Sequence, residues 1–229
     1  KLILTNMKMS KGFLLILSLS FLSFSFNSQV SINAGTGFSS GFTSDNPGVF
    51  LGFHLGAEVP RNNDVTFYGR ISHFLARKES TSFSTYAEAI DLTTSPYTIL
   101  VDYTSSTNFT SIEGGTRYYL GNGFDNGFSV YGGSNMALLF YGVKRNYDDF
   151  DDALYSLPVG EDRKGTILSL ALGLQGGVKY TLPAIGTIYF DVNGSYAILA
   201  QANNQTAANS SFYSPLLFGF NIGFRKDFY

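Results

Sequence analysis

The chain has 229 residues, of which 44% are hydrophobic and only 14% are charged, and its mean hydropathy is +0.06. This mean hydropathy excludes a protein built from membrane-spanning helices, and the charged fraction is well below the roughly 25% of ordinary soluble domains. Because cysteine is absent, disulfides, thiolate metal sites and cysteine nucleophiles are excluded as well. Aromatic residues make up 16% of the chain and glycine occurs 25 times, which favours a β-sheet that is wet on one side only.

The first 28 residues have the pattern of a secretory signal peptide. Lys8 and Lys11 precede an apolar run over residues 12–26, which is too short and too rich in serine for a membrane span. We therefore predict a leader over residues 1–28 and one domain over residues 29–229. That domain carries 12 basic and 17 acidic residues, a balance that does not suit nucleic acid as a partner.

From residue 30 onward, eight segments alternate between apolar and polar residues, which is the period of a β-strand. The last of them, SPLLFGFNIGFRKDFY, sets phenylalanine and isoleucine against glycine, asparagine and arginine. The predicted strands are residues 30–40, 48–59, 65–78, 109–120, 128–145, 165–182, 187–200 and 214–229.

The connections between these segments alternate in length. Short turns at 60–64, 121–126 and 183–186 alternate with longer or more polar links at 41–47, 79–107, 146–164 and 201–213. The Ser-, Thr- and Tyr-rich composition of 79–107 suits extended hairpin extensions or adhesive contacts. Tight periplasmic turns, longer outer loops and an even strand number are typical of outer-membrane barrels. We predict an all-β fold, a closed eight-stranded antiparallel up-and-down transmembrane β-barrel in the outer membrane of a Gram-negative bacterium, with both termini periplasmic. A soluble β-sandwich or lipocalin-like barrel, which alternates in the same way, is the alternative.

Charged residues on the polar face favour the membrane barrel, because a lipocalin-type interior would be apolar. An eight-stranded barrel is just wide enough to be filled by side chains. We therefore expect these charges to pair inside a plugged lumen with little or no conductance. The predicted lumen charge network consists of Glu58, Arg70, Glu113, Arg117, Lys179, Asp191, Arg225 and Asp227.

Residues that could carry catalysis or bind metal are few. His54 lies on the polar face and is interpreted as a hydrogen-bonded interior histidine. Ser72 and His73 are neighbours in one strand and point to opposite faces, so they cannot form a catalytic dyad. The acidic run Asp148–Asp152 could bind a divalent cation, but its spacing matches no EF-hand. We therefore interpret it as a solvated loop. We predict no catalytic residue, no metal and no cofactor, and hence no enzyme.

The signal peptide, the eight segments, the phrase EGGTRYYL at residues 113–120 and the terminal aromatic pair together resemble a known family. The chain is similar to small eight-stranded outer-membrane barrels of the OmpA/OmpX type, and more narrowly to the outer-membrane β-barrel domain proteins of Bacteroidota. In that family the last strand carries a signal read by the barrel-assembly machinery, although Lys226 here occupies a position that is usually hydrophobic. The resemblance assigns this signal to Gly223, Phe224, Phe228 and Tyr229.

The resemblance also implies a role and partners. The expected partners are outer-membrane lipid and lipopolysaccharide, the barrel-assembly machinery and another envelope or surface protein, and the chain is expected to be a monomer. Loops 79–107 and 146–164 would face outside and serve envelope integrity, adhesion or surface contact. Two alternatives stay open: an accessory subunit of an envelope machine such as the type IX secretion system, and a narrow pore or lipid-modifying enzyme.

Overall fold

A computed structural model describes residues 29–42, 48–79 and 82–228 of the chain. The predicted leader and Tyr229 lie outside the described residues. The strands are β1 (Val30–Gly41), β2 (Val49–Pro60), β3 (Val65–Lys78), β4 (Phe83–Ala89), β5 (Thr98–Gly121), β6 (Gly127–Tyr147), β7 (Tyr155–Ser156), β8 (Lys164–Leu182), β9 (Gly186–Ala202) and β10 (Leu216–Phe228), and the short helix α1 is Gln205–Ala208. Within the described ranges, no helix has the length and apolar character needed to cross a bilayer.

Eight of these strands close into an antiparallel ring in the order β3-β2-β1-β10-β9-β8-β6-β5, and β5 pairs back to β3. The first and last strands pair along their whole length, from Val30 opposite Phe228 to Gly41 opposite Leu217. Closure leaves no free edge among the ring strands. The predicted eight-stranded antiparallel barrel is confirmed, and the β-sandwich alternative is wrong because the sheet closes on itself.

The distribution of side chains is inside out compared with a soluble barrel. Large apolar side chains on the outer face are exposed, as at Leu51, Ile71 and Leu172. Small polar side chains such as Ser31 and Thr66 face the lumen and are fully buried. A lipocalin-like barrel would have the reverse distribution, whereas an apolar outer belt suits contact with lipid.

The two ends of the barrel differ. The short-turn end carries the turns at 61–64, 122–126 and 183–185, and the long-loop end carries the links at 79–97, 148–163 and 203–215. The polar link predicted at 79–107 contains β4 and the first part of β5, which pair as a hairpin with Tyr86 opposite Leu100, in agreement with a composition suited to hairpin extensions. The bounds of these strands were not predicted, because the strands rise beyond the apolar belt, where one face need not be apolar.

A β-bulge in β3 changes which side chains point outward at the long-loop end. Phe74 lies opposite Phe109, but the next pair is Arg77 opposite Thr107, so β3 contains one extra residue. Because side chains alternate with a period of two, one extra residue reverses the alternation beyond it. Arg77 therefore points inward, and Lys78 points outward rather than into the lumen.

Candidate functional site in the barrel lumen

Five charged side chains from four strands meet in the middle of the lumen. Arg70 donates from Nε to Oε1 of Glu113 at 2.6 Å and from Nη1 to Oδ2 of Asp191 at 3.0 Å. Arg117 donates to Oε2 of Glu58 at 2.9 Å and reaches the same Asp191 oxygen at 3.3 Å. Asp191 is thus shared between two guanidinium groups, and charges of alternating sign run across the barrel.

Neutral donors complete the hydrogen bonding of the two most buried carboxylates. Asp191 also accepts from Nδ2 of Asn221 at 2.7 Å. Glu58 accepts from Thr66 Oγ1 at 2.5 Å and from the Tyr119 hydroxyl at 2.7 Å. Buried charges are tolerated only where such partners offset the loss of water. The network therefore holds its members in one arrangement.

The predicted network residues nearest the short-turn end behave in two ways. Arg225 pairs with Asp227 at 3.0 Å and lies 3.9 Å from a Glu58 oxygen, so these residues extend the ion-pair network. Lys179 is buried beside them but donates to the backbone carbonyls of Phe124 and Asn126, each at 3.0 Å. Within the described residues, Lys179 is in no ion pair, in contrast to the other seven predicted members.

Phe124 plugs the short-turn end of the lumen. Its side chain is fully buried, with the Arg225 guanidinium 3.7 Å from the ring centroid. Its backbone N–H donates to the carbonyl of Asn63 at 2.7 Å, which ties this turn to the neighbouring one. The turn requires glycine at 123, where φ is +72° and a Cβ would lie 2.3 Å from the Asn63 side chain. The sequence predicts only a turn at 121–126, and the burial of Phe124 goes beyond that prediction.

The lumen toward the long-loop end is apolar, and the expectation of a polar lumen throughout is wrong there. Phe109 stacks on Phe74 at 4.2 Å and on Tyr141 at 4.9 Å between ring centroids. Phe50 and Phe74 lie on the face predicted to be polar, which is the signal that could have revealed this cluster. Its buried members are Phe50, Phe74, Phe109, Ala137, Leu139, Tyr141, Ile167, Ala171, Ala207, Phe212 and Leu217.

Residues 203–215, which include α1, fold over this end as a lid. Phe212 is buried beneath the Arg77 guanidinium, 4.9 Å from its ring centroid. The Ser211 hydroxyl donates to the Glu79 carboxylate on the barrel rim. Burial raises the pKa of Glu79, and the charge of Arg145 opposes that shift. The lid is therefore fixed to the rim by packing and by polar contacts.

The space left between the charge network and the aromatic cluster is small. A cavity of about 30 Å³ lies there, lined by polar groups that include Arg70, Glu113 and Asn193 and by apolar groups that include Phe109 and Leu217. A cavity of that size holds about one water molecule. Phe124 at one end and the aromatic cluster at the other thus fill the two ends of the lumen.

The histidines and the serine considered for catalysis do not form a catalytic site. His54 is buried in the lumen, with Nε2 2.6 Å from the Tyr189 hydroxyl. Ser72 faces the lumen, whereas His73 faces outward with Nδ1 2.9 Å from Thr110 Oγ1. The adjacent serine and histidine lie on opposite sides of the barrel wall, as predicted from their spacing.

The carboxylates of the acidic run contact groups within the same loop. Asp152 pairs with Arg163 at 2.8 Å, and Asp151 accepts from the backbone N–H of Ala153 at 2.9 Å. The backbone N–H of Asp148 donates to the carbonyl of Asp102 at 2.8 Å. Within the part of the chain that the structure describes, no group of three or more potential metal ligands occurs.

In β10, the described residues of the predicted assembly signal lie on both faces of the strand. Phe224 and Phe228 are exposed on the outer face. Gly223 faces inward, where a Cβ would lie 2.4 Å from the Tyr189 hydroxyl, so this glycine makes room for a lumen tyrosine. Lys226 donates to backbone carbonyls in the 183–185 turn at 3.0 and 3.1 Å, which takes its charge out of the apolar belt. Recognition by the assembly machinery stays a prediction.

The fold is similar to that of solved outer-membrane proteins. No protein-family model and no curated sequence matches the chain. Among solved structures, Neisserial surface protein A has a TM-score of 0.53 at 14% identity, covering 87% of this chain and 97% of its own. A major outer membrane protein from Thermus thermophilus has a TM-score of 0.49 at 13% identity, covering 88% of this chain and 100% of its own. Ail, the attachment invasion locus protein of Yersinia pestis, solved with sucrose octasulfate, has a TM-score of 0.46 at 17% identity, covering 87% and 99%.

At 14% identity, the similarity to Neisserial surface protein A establishes the fold alone. The chain has the fold of the small eight-stranded outer-membrane barrels, the OmpA/OmpX-like type. The narrower resemblance to Bacteroidota proteins stays a prediction.

Proposed function

We propose that the protein is a sealed barrel of the bacterial outer membrane that acts through surface contacts made at its long-loop end. The proposal is supported by a lumen that is filled at both ends, together with a β4–β5–β6 wall that rises far beyond the other strands. Phe124 fills the short-turn end and the 203–215 lid fills the other. A filled barrel offers solutes no path, so its function resides on its surface.

In this proposal the short-turn end faces the periplasm and the long-loop end faces outside. Support comes from the turn lengths, which follow the asymmetry of outer-membrane barrels. Val30 and Phe228 pair with each other at the short-turn end, so the proposal places both ends of the described barrel on the periplasmic side.

The structure that would make the contacts is the extension, defined as residues 83–104 and 145–156. The last pair between β5 and β3 is Ser106 opposite Lys78, so residues 98–105 carry β5 eight residues beyond its pairing with β3. At about 3.3 Å per residue this is roughly 26 Å beyond the neighbouring strand. The extension therefore reaches well past the apolar belt.

The extension is ordered by its own small core. Ala87, Ala89, Val101 and Tyr155 are buried together on its inner face. At its tip, hydrogen bonds from the side chain and backbone of Thr93 lower the pKa of Asp91, whose Oδ1 accepts the Thr93 backbone N–H at 2.8 Å. A rigid support of this kind suits recognition, because little conformational entropy is lost on binding.

The other face of the extension exposes large apolar side chains beyond the belt. Tyr86 and Leu100 lie opposite each other and are 63% and 61% exposed. Further exposed members are Ile90, Leu92 and Tyr97. Exposed apolar and aromatic clusters of this kind mark contact surfaces. The favoured partner is another envelope or surface protein.

Site-specific cross-linking in intact cells tests the proposal. A photoreactive residue at Leu100 should give a discrete protein adduct, whereas the same residue at Leu120, which is 71% exposed at the short-turn end, should not give that adduct. Replacing residues 80–104 by Asn-Gly joins Glu79 to Ser105 through a two-residue turn. These two residues are already neighbours at the rim, where the Glu79 backbone N–H donates to the Ser105 carbonyl at 2.9 Å. This variant should still form a barrel. Because it lacks Leu100, its loss of the partner is measured by co-purification. The absence of an adduct at Leu100, or the same adduct at Leu100 and Leu120, would contradict the proposal.

The identity of the adduct also separates the alternatives. Repeated recovery of one large envelope complex at Leu100 would favour an accessory subunit of a machine such as the type IX secretion system. A lipid-modifying activity would instead alter the lipid A mass spectrum of a deletion strain, and we expect that spectrum to be unchanged, because Ser72 and His73 do not face each other.

A further inference from the structure

Three lysines lie in one level row on the outer face of neighbouring strands. Lys78 of β3 is opposite Ser106 of β5, Ser106 is opposite Lys144 of β6, and Lys144 is opposite Lys164 of β8. Directly opposed residues in antiparallel strands point to the same face. The three lysines, here called the lysine row, therefore span three strand spacings, or about 14 Å. Lys78 belongs to the row only because the bulge in β3 turns it outward.

The lysine row is uncompensated positive charge. All three side chains are exposed, and none of the ion pairs among the described residues includes them. Lys144 and Lys164 are direct cross-strand neighbours, an arrangement in which like charges repel. Among the other exposed cations, Arg163 pairs with Asp152 and Lys226 donates to carbonyls, whereas Arg61, like the three lysines, is in no ion pair among the described residues. An anion between the lysines would remove the repulsion.

The surface at the row has space and hydrogen-bonding groups for such an anion. A shallow depression of about 290 Å³ lies there, and Lys144, Lys164, Ser106, Asn108 and Thr166 line it. Two ammonium groups with hydroxyl and amide groups are the donors that a phosphate requires.

The lysine row also lies just beyond the apolar belt, where the headgroup of a lipid packed against the belt would be. Phe140 and Leu168 are opposite each other, are exposed, and belong to the apolar belt. Each lies four residues before or after a row lysine on the same strand, which is about 13 Å along the strand. A lipid with its chains against this pair would have its headgroup near Lys144 and Lys164.

We propose that the lysine row binds the phosphate groups of a phosphorylated glycolipid in the outer leaflet. This rests on the proposed function, because only then does the long-loop end lie in that leaflet. The ammonium groups donate to phosphate oxygens from Lys144 and Lys164 on one side and from Lys78 on the other. Bound lipid would thereby fix the wall from which the extension rises.

Binding of purified diphosphoryl lipid A to the folded barrel in non-ionic detergent, followed by native mass spectrometry, tests the proposal. The variant K78Q/K144Q/K164Q removes the row. The control R61Q/R163Q/K226Q removes three exposed positive charges elsewhere. Each lysine at an anionic lipid surface contributes about a fivefold change in affinity, so the row variant should bind about a hundredfold more weakly. The control should change affinity less than about fivefold, and dephosphorylated lipid A should bind all three proteins equally.

Three results would overturn the proposal: unchanged affinity in the row variant, an equal loss in the control, or displacement of lipid A by millimolar inorganic phosphate, which would indicate a site for soluble anions. If the triple variant fails to fold, as shown by its mobility on an unheated gel, K144Q alone should still bind about fivefold more weakly. Binding in detergent does not depend on orientation or on a protein partner. A failed cross-link at Leu100 therefore removes the proposed function without touching this result.

Discussion

Removing Glu58 and Arg117 together should destabilise the barrel by less than the sum of the two single removals. The two side chains are 1% and 5% exposed and lie 2.9 Å apart. The eight charged residues of the lumen set comprise four acids and four bases. Glu58→Met or Arg117→Met alone leaves one uncompensated buried charge, whereas the double variant keeps the balance.

The structure sets the size of the effect. Breaking a buried ion pair by removing one partner costs about 3–5 kcal/mol. Without Arg117, Glu58 keeps the hydrogen bonds from Thr66 and Tyr119 and a weak contact with Arg225 at 3.9 Å. We therefore expect each single variant near the lower value, about 3 kcal/mol. The double variant should lie about 2–3 kcal/mol below the sum of the singles, as expected for residues in direct contact.

The assay is urea unfolding from lipid vesicles. Because the chain has no tryptophan, unfolding is followed by far-ultraviolet circular dichroism and by mobility on unheated gels. Asp152–Arg163 is the matched control: it has a similar distance, 2.8 Å, but its side chains are 67% and 58% exposed. Its coupling energy should be below about 1 kcal/mol. Additive single effects at Glu58 and Arg117, or equal coupling energies in both pairs, would show that the two buried side chains are not coupled as an ion pair.

Three further predictions concern the plug, the last strand and the lumen. Phe124→Ala should lower the free energy of unfolding by about 3–5 kcal/mol, since it empties the plug, while Phe128→Ala on the outer face should cost clearly less; equal losses would argue against a plug. Gly223→Ala should cost about 1–3 kcal/mol by crowding the lumen, and Gly176→Ala, where a Cβ meets nothing closer than 3.7 Å, should cost little; equal effects would count against the packing role. In planar bilayers the intact protein should show no steady channel currents, and well-defined openings would contradict the filled lumen.

The ring of eight strands could be predicted because every residue of a crossing strand faces either the belt or the lumen. That constraint imposes a two-residue period on the sequence, and the charges at Arg70, Glu113 and Asp191 mark the inner face. The same logic fails where the constraint ends. β4 (Phe83–Ala89) and residues 98–105 of β5 rise beyond the belt, so they follow no apolar alternation and were predicted as a link.

Two other features escaped sequence analysis for different physical reasons. The bulge between Phe74 and Arg77 depends on pairing with β5, which a single strand does not reveal, yet it decides that Lys78 faces outward. The burial of Phe124 and Phe212 depends on turns folding back into the barrel ends. An aromatic residue in a polar turn was the available signal, and its meaning required knowledge of the space that the lumen leaves.

Cysteine labelling shows whether the long-loop end of the barrel faces outside, on which the proposed function depends. The chain has no native cysteine, so each introduced cysteine is unique. Val159→Cys lies at the long-loop end and is 96% exposed, and Ile185→Cys lies in a short turn and is 61% exposed. In intact cells a membrane-impermeant maleimide should label position 159 and spare position 185, and both should react after lysis. Labelling of 185 but not 159 in intact cells would contradict the account.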